Sequence, residues 1–205
     1  MNMNKKRMVA GAGILVLLMS VFFSLSNIWG QNSFTGRMTG GGSIFLDAQH
    51  DRVDGWSAPS GTQIMHGFQL HCGANNDPQT IVQPNNLEIS IHLPDGQVHR
   101  FHLDELTNAI CLTDPDISPA PPKNSTIYWH NGSGTGRYDG VAGYTADWAF
   151  TDEGEPGADD RIVFLRIWSD SGYYVLSVGA EPYDPMGGRK LIYGNHQAQA
   201  AKGRK

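Results

Sequence analysis

Apolar and polar residues alternate along much of this chain, in short runs broken by turn residues. Leu87, Ile89, Ile91 and Leu93 stand at every second position, with Glu88, Ser90 and His92 between them. That period of two is the mark of a strand with one covered face. Pro94-Asp95-Gly96 then turns the chain. Of two registers for the returning strand, only one keeps a face apolar. It sets Leu93 against Gln97, Ile91 against His99, Ile89 against Phe101 and Leu87 against Leu103, and it brings His102 opposite Glu88 on the outer face. Residues 161–180 predict a second hairpin with its turn at Ser169-Asp170-Ser171-Gly172. Val163, Leu165, Ile167 and Val175 fall on one face, and Phe164, Trp168, Tyr174, Leu176 and Val178 on the other. A hairpin apolar on both faces lies in the middle of the sandwich, or meets a partner on one side. Tyr144, Ala146, Trp148 and Phe150 share a side of a third run, and Ile64, His66, Phe68, Leu70 and Cys72 share a side of a fourth. Asp104 to Ile110 reads as one helical turn capped by Asp104. The prolines at 115, 119, 121 and 122 make residues 113–125 an extended crossing loop. The pattern as a whole predicts an all-β, antiparallel β-sandwich with one short helical turn. It fills a single domain over residues 31–205, without internal repeats.

A different pattern opens the chain. Lys5, Lys6 and Arg7 precede an uncharged, largely apolar run from Met8 to Phe23. Residues 1–30 are read as a secretory signal peptide, with retention as an N-terminal anchor as the alternative. The expected location is extracellular, at the cell surface or in the periplasm, with membrane contact only through that segment if it is uncleaved. The whole chain carries 15 Lys and Arg against 20 Asp and Glu, and loss of the signal takes the net charge to about −8. An acidic surface disfavours nucleic acid as a partner. The tail Lys202, Arg204 and Lys205 reads as a frayed basic end. An even pair of cysteines in an exported protein predicts a Cys72–Cys111 disulfide.

Several motifs recur in one order. Gly40-Gly41-Gly42-Ser43-Ile44-Phe45 comes first, then His66-Gly67-Phe68-Gln69-Leu70-His71-Cys72 and Pro84-Asn85-Asn86-Leu87-Glu88. Phe150-Thr151-Asp152-Glu153-Gly154-Glu155-Pro156-Gly157 follows, and Gly194-Asn195-His196-Gln197 closes the set. Together they resemble a β-rich module of exported bacterial surface proteins, often found C-terminal to immunoglobulin-like repeats. The resemblance spans roughly residues 37–198. It implies a non-catalytic module and carries over no ligand. Here the module stands behind a signal without a repeat array. Residues 181–193, rich in Pro and Gly, read as an inserted loop before the closing motif.

Three kinds of chemistry are worth weighing. The loop from 152 to 160 holds Asp152, Glu153, Glu155, Asp159 and Asp160. Five carboxylates so close repel one another unless water or a cation screens them, which makes the loop either a solvated acidic turn or a Ca²⁺ site. The same groups supply the pair of carboxyls that glycoside hydrolysis needs. Trp56, Tyr128, Trp129, Tyr138, Tyr173 and Tyr183 are the rings considered for stacking on a sugar, and of these Tyr128 and Trp129, between a proline loop and a glycine-rich stretch, are the best placed. Strand parity sends His66 and His71 to opposite faces, and His99 and His102 likewise, which works against a histidine metal cluster. His66 and His99 read as core-edge histidines, and His196 as a local turn or edge contact. Gly132, Gly134 and Gly136 read as a flexible turn, since no helix follows to complete a phosphate cradle. No catalytic residue and no cofactor beyond that calcium ion is assigned. The expected function is a non-catalytic structural or interaction module whose partner is a surface protein or glycan. The alternatives are a carbohydrate-binding module and a secreted glycan-active enzyme using the acidic-loop carboxylates.

Overall fold

The computed structural model describes residues 36–73, 77–112, 129–154, 157, 159–179 and 188–200. The signal segment, the proline loop, Tyr128, Glu155, Tyr183 and the basic tail lie outside the described residues, as does the side chain of Trp129. The described part is almost wholly strand. In chain order the strands are β1 (Gly36–Phe45), β2 (Arg52–Val53), β3 (Trp56–Ser57), β4 (Gln63–His71), β5 (Asn86–His92) and β6 (Val98–Leu112). They continue with β7 (Trp129–Tyr138), β8 (Val141–Thr151), β9 (Arg161–Ser169), β10 (Tyr174–Val178), β11 (Arg189–Lys190) and β12 (Tyr193–Ala200). They form one sheet in the order β12-β1-β4-β5-β6-β7-β8-β9-β10-β2-β3, with β11 joined to β9. Every pairing is antiparallel, as the alternation requires.

The sheet curls into a half-barrel, so that strands far apart in the order meet across its interior. Phe68 of β4 stacks on Phe150 of β8 with ring centroids 4.7 Å apart. Met38, Ile64, Leu70, Leu87, Ile89, Phe101, Trp148 and Ile162 are fully covered in the same core. The β5–β6 register is the one that keeps a face apolar: Ile89 faces Phe101, Ile91 faces His99 and Glu88 faces His102. Cys72 and Cys111 are bonded, with Cα atoms 5.6 Å apart, and tie the end of β4 to β6 past the start of β5.

Four local expectations are corrected. Asp104 to Ile110 is not a helical turn but part of β6, which continues to Leu112 with bulges at Leu103/Glu105 and Leu106/Asn108. The bulges break the simple alternation there, which is why the segment does not read as strand. The only helical turn among the described residues is a 3-10 turn at Pro78–Thr80, capped by the Asp77 carboxylate. The glycine-rich stretch is likewise strand, as β7. A Cβ on Gly134 would lie 2.3 Å from the Glu105 carbonyl, and one on Gly136 would lie 2.2 Å from that of His102. Glycine there lets β7 lie close against the bulged β6. The second hairpin has its turn where expected, but a bulge at Val175 moves Leu176 and Val178 onto the face of Ile167 and Leu165. The segment before the closing motif is not all loop, because β11 pairs with Ile162 and Arg161.

Candidate functional site

The acidic loop joins β8 to β9, beside the edge of β12 that faces away from β1. Gly154 and Gly157 adopt positive φ and let the loop fold back on itself, with Gly157 N–H donating to the Gly154 carbonyl at 2.9 Å. A side chain at Gly157 would collide with Asn195 of β12, its Cβ only 2.5 Å from Oδ1. The loop is therefore built to press against the last strand.

Three of its carboxylates, Asp152, Glu153 and Asp160, are buried, not solvated, and buried carboxylates need hydrogen-bond donors. Asp160 is 0% exposed. It accepts from the Glu153 N–H at 2.8 Å and from the His196 N–H at 2.6 Å. Asp152 accepts from the Gly154 N–H at 3.0 Å and from the Ala198 N–H at 2.7 Å. His196 and Ala198 are alternate residues of β12, so the two carboxylates stand where the carbonyls of another strand would stand. Glu153 receives the Arg161 guanidinium at 2.7 Å and the Thr151 hydroxyl at 3.1 Å. Arg161 also donates to the Gly188 carbonyl at 3.3 Å. Asp159 alone among the described carboxylates of the loop points outward, to Lys190. Burial pushes the Asp160 carboxyl up to about 7, with Asp152 and Glu153 nearby adding to it, while its two backbone donors pull the other way.

Two histidines complete the cluster. His196, 0% exposed, lies in an aromatic box with Phe68 and Phe150. Its Nδ1 is 2.8 Å from the Thr151 carbonyl and its Nε2 is 2.8 Å from Nε2 of His66. The carbonyl only accepts, so Nδ1 of His196 carries the proton and Nε2 of the neutral ring is an acceptor. The donor across the pair is then Nε2–H of His66. That leaves Nδ1 of His66 without a proton, and it makes no hydrogen bond. Burial holds His196 down to about 4 and holds His66 well below the ordinary imidazole range, His196 adding to the latter effect.

No protein-family model, curated protein or solved structure matches this chain.

Of the residues proposed from sequence, the fold thus gathers Asp152, Glu153 and Asp160 in one place and sends Asp159 to the surface. Trp129 opens β7 opposite Thr151, beside the start of the acidic loop. Among the described residues no group of three or more His, Cys, Asp or Glu is placed to hold a metal ion. Three other histidines take a carboxylate each: His99 with Asp139 at 2.7 Å, His50 with Asp47 at 2.8 Å, and His102 with Glu88. His196 is no edge contact, since it is the centre of the cluster. Thr151 and Arg161 are the other members that sequence reasoning missed. The signal for His196 was present: in the closing motif it alternates with Ala198, and both are buried. Of the rings considered for sugar stacking, Tyr138 is buried. Trp56 is 79% exposed, and Tyr173 is fixed by its hydroxyl, which donates to the Asp54 carbonyl at 2.5 Å.

Proposed function

We propose that this chain is an exported, non-catalytic structural or interaction module that works at the bacterial cell surface or in the periplasm. One observation carries the reading. The carboxylates with the best claim to chemistry, Asp152, Glu153 and Asp160, are buried and hold backbone amides and an arginine. Groups committed in that way hold a shape and are poorly placed to touch a substrate. The buried Cys72–Cys111 bond fits an oxidising compartment, and the resemblance to surface-protein modules points the same way.

A carbohydrate-binding role is the second reading, favoured by the exposed Trp56 ring on the short β2–β3 hairpin, whose Asp54 carbonyl accepts from the Tyr173 hydroxyl. Cell fractionation with mass spectrometry of the native protein tests the main reading. The expected product lies outside the cytoplasm, lacks roughly its first 30 residues if the signal is cleaved, and is 2 Da lighter before reduction than after it. A cytoplasmic, reduced protein would overturn it, and so would polysaccharide hydrolysis abolished by Asp152→Asn. Glycan-array binding lost in Trp56→Ala would replace it with the second reading.

A further inference from the structure

The last strand is held unlike the others. Of the described β12 side chains only His196 and Ala198 are buried. β1 presents Gly40 to His196, Gly41 to Asn195 and Gly42 to Gly194, with Met38 facing Ala198 and Arg37 bonded to Gln199 toward the end of β12, so the middle of this ladder has few side-chain pairs to stabilise it. The outer edge of β12 is held by the Asp152 and Asp160 carboxylates, and its face by the His196 bonds to Thr151 and His66. A strand with little apolar burial, secured by side chains that titrate, is a local unit that opens before the rest of the sheet.

We infer that β12 is an acid-released latch, whose detachment is driven by protonation of the buried His66–His196 pair and frees the edge of β1. A proton added to the pair would be a charge buried among aromatic rings. Nδ1 of His66 makes no hydrogen bond, the nearby Gly42 carbonyl only partly offsets burial, and Nε2 of His196 already accepts from His66. Several titratable groups surround the pair. β4 supplies His66, β12 supplies His196, and the end of β8 and the loop supply Asp152, Glu153 and Asp160. β9 supplies Arg161. The facing parts of β1 and β5 bring glycine and apolar residues.

Both histidines are depressed in the closed state, so they favour closure above the ordinary imidazole value and lose that contribution as pH falls. Asp160 is raised to about 7, so it acts in the opposite sense. Counting His66, His196 and Asp160, between about pH 4.5 and 6 opened β12 leaves both histidines protonated and Asp160 ionised, whereas closure keeps one proton among the three, on Asp160. Opening takes up one net proton, and its equilibrium rises about tenfold per pH unit of acidification.

Hydrogen exchange by mass spectrometry on the full chain, at pH 7.5, 6.0 and 5.0 and corrected for intrinsic rates, reads this directly. Peptides covering 191–200 are expected to lose about tenfold in protection between pH 6.0 and 5.0, while those covering 87–103 do not change. Equal changes in both segments, or none in either, overturn the latch. His66→Gln keeps a donor toward His196 but removes one titrating ring, so its β12 protection becomes independent of pH in that range. An unchanged slope in that variant overturns the role of the pair, and if the variant does not fold, the native profile decides alone.

Discussion

Asp160 occupies the position of a missing strand: its two oxygens meet the amides of Glu153 and His196, the second from a residue 36 positions away. Asp160→Asn keeps the shape but turns one of those acceptors into a donor, leaving a buried N–H unpaired. The expected loss is about 2 kcal/mol, read as a lower urea midpoint at pH 7.5, with the slope of the transition unchanged. Asp51 works the same way elsewhere in the sheet. It is fully buried, accepts from the Asp47 and Gly179 N–H groups, and lies 3.1 Å from Arg189. The residue types at these positions were plain in the sequence, and their burial was not. A carboxylate is covered only if its donors arrive, and the donors for Asp160 and Asp152 come partly from a distant strand.

At the scale of elements, simple alternation was a sound guide wherever pairing ran without interruption. β4, β5 and the first part of β6 show the faces that their period of two implies, down to Glu88 opposite His102. It failed at bulges. One extra residue inverts every later side chain, and nothing in the spacing of Tyr174, Val175 and Leu176 shows where the insertion falls. β7 failed for another reason. Its glycines look like a turn, but they serve the close approach of the bulged β6. Gly134→Ala tests this. Its Cβ would stand 2.3 Å from a backbone oxygen and 2.5 Å from Leu103 Cδ1, and the backbone oxygen cannot swing aside. The expected cost is about 2–3 kcal/mol, as for an overpacked core, seen as a lower melting temperature. A flexible turn at this place would tolerate the change.

For the molecule as a whole, the disulfide closes a loop with a sequence separation of 39 between two strands that β5 separates. Cys72→Ser combined with Cys111→Ser is expected to lower stability by about 4 kcal/mol, chiefly by freeing the unfolded chain, and chemical denaturation of the two forms measures it. The covalent bond and the carboxylate seam do related work, since each joins parts of the curled sheet that ladder hydrogen bonds do not join. What the sequence by itself determined is local: strand periods, turns, the register of the first hairpin and the pairing of its only two cysteines. Each depends on residues near one another in the chain or on simple counting. The tertiary structure alone decided that the sheet curls until β12 meets the β8–β9 loop, that this acidic loop is internal, and that His66 and His196 share a hydrogen bond. Those facts rest on contacts between residues up to 130 positions apart, and no pattern within a short window encodes which distant amide a carboxylate will meet.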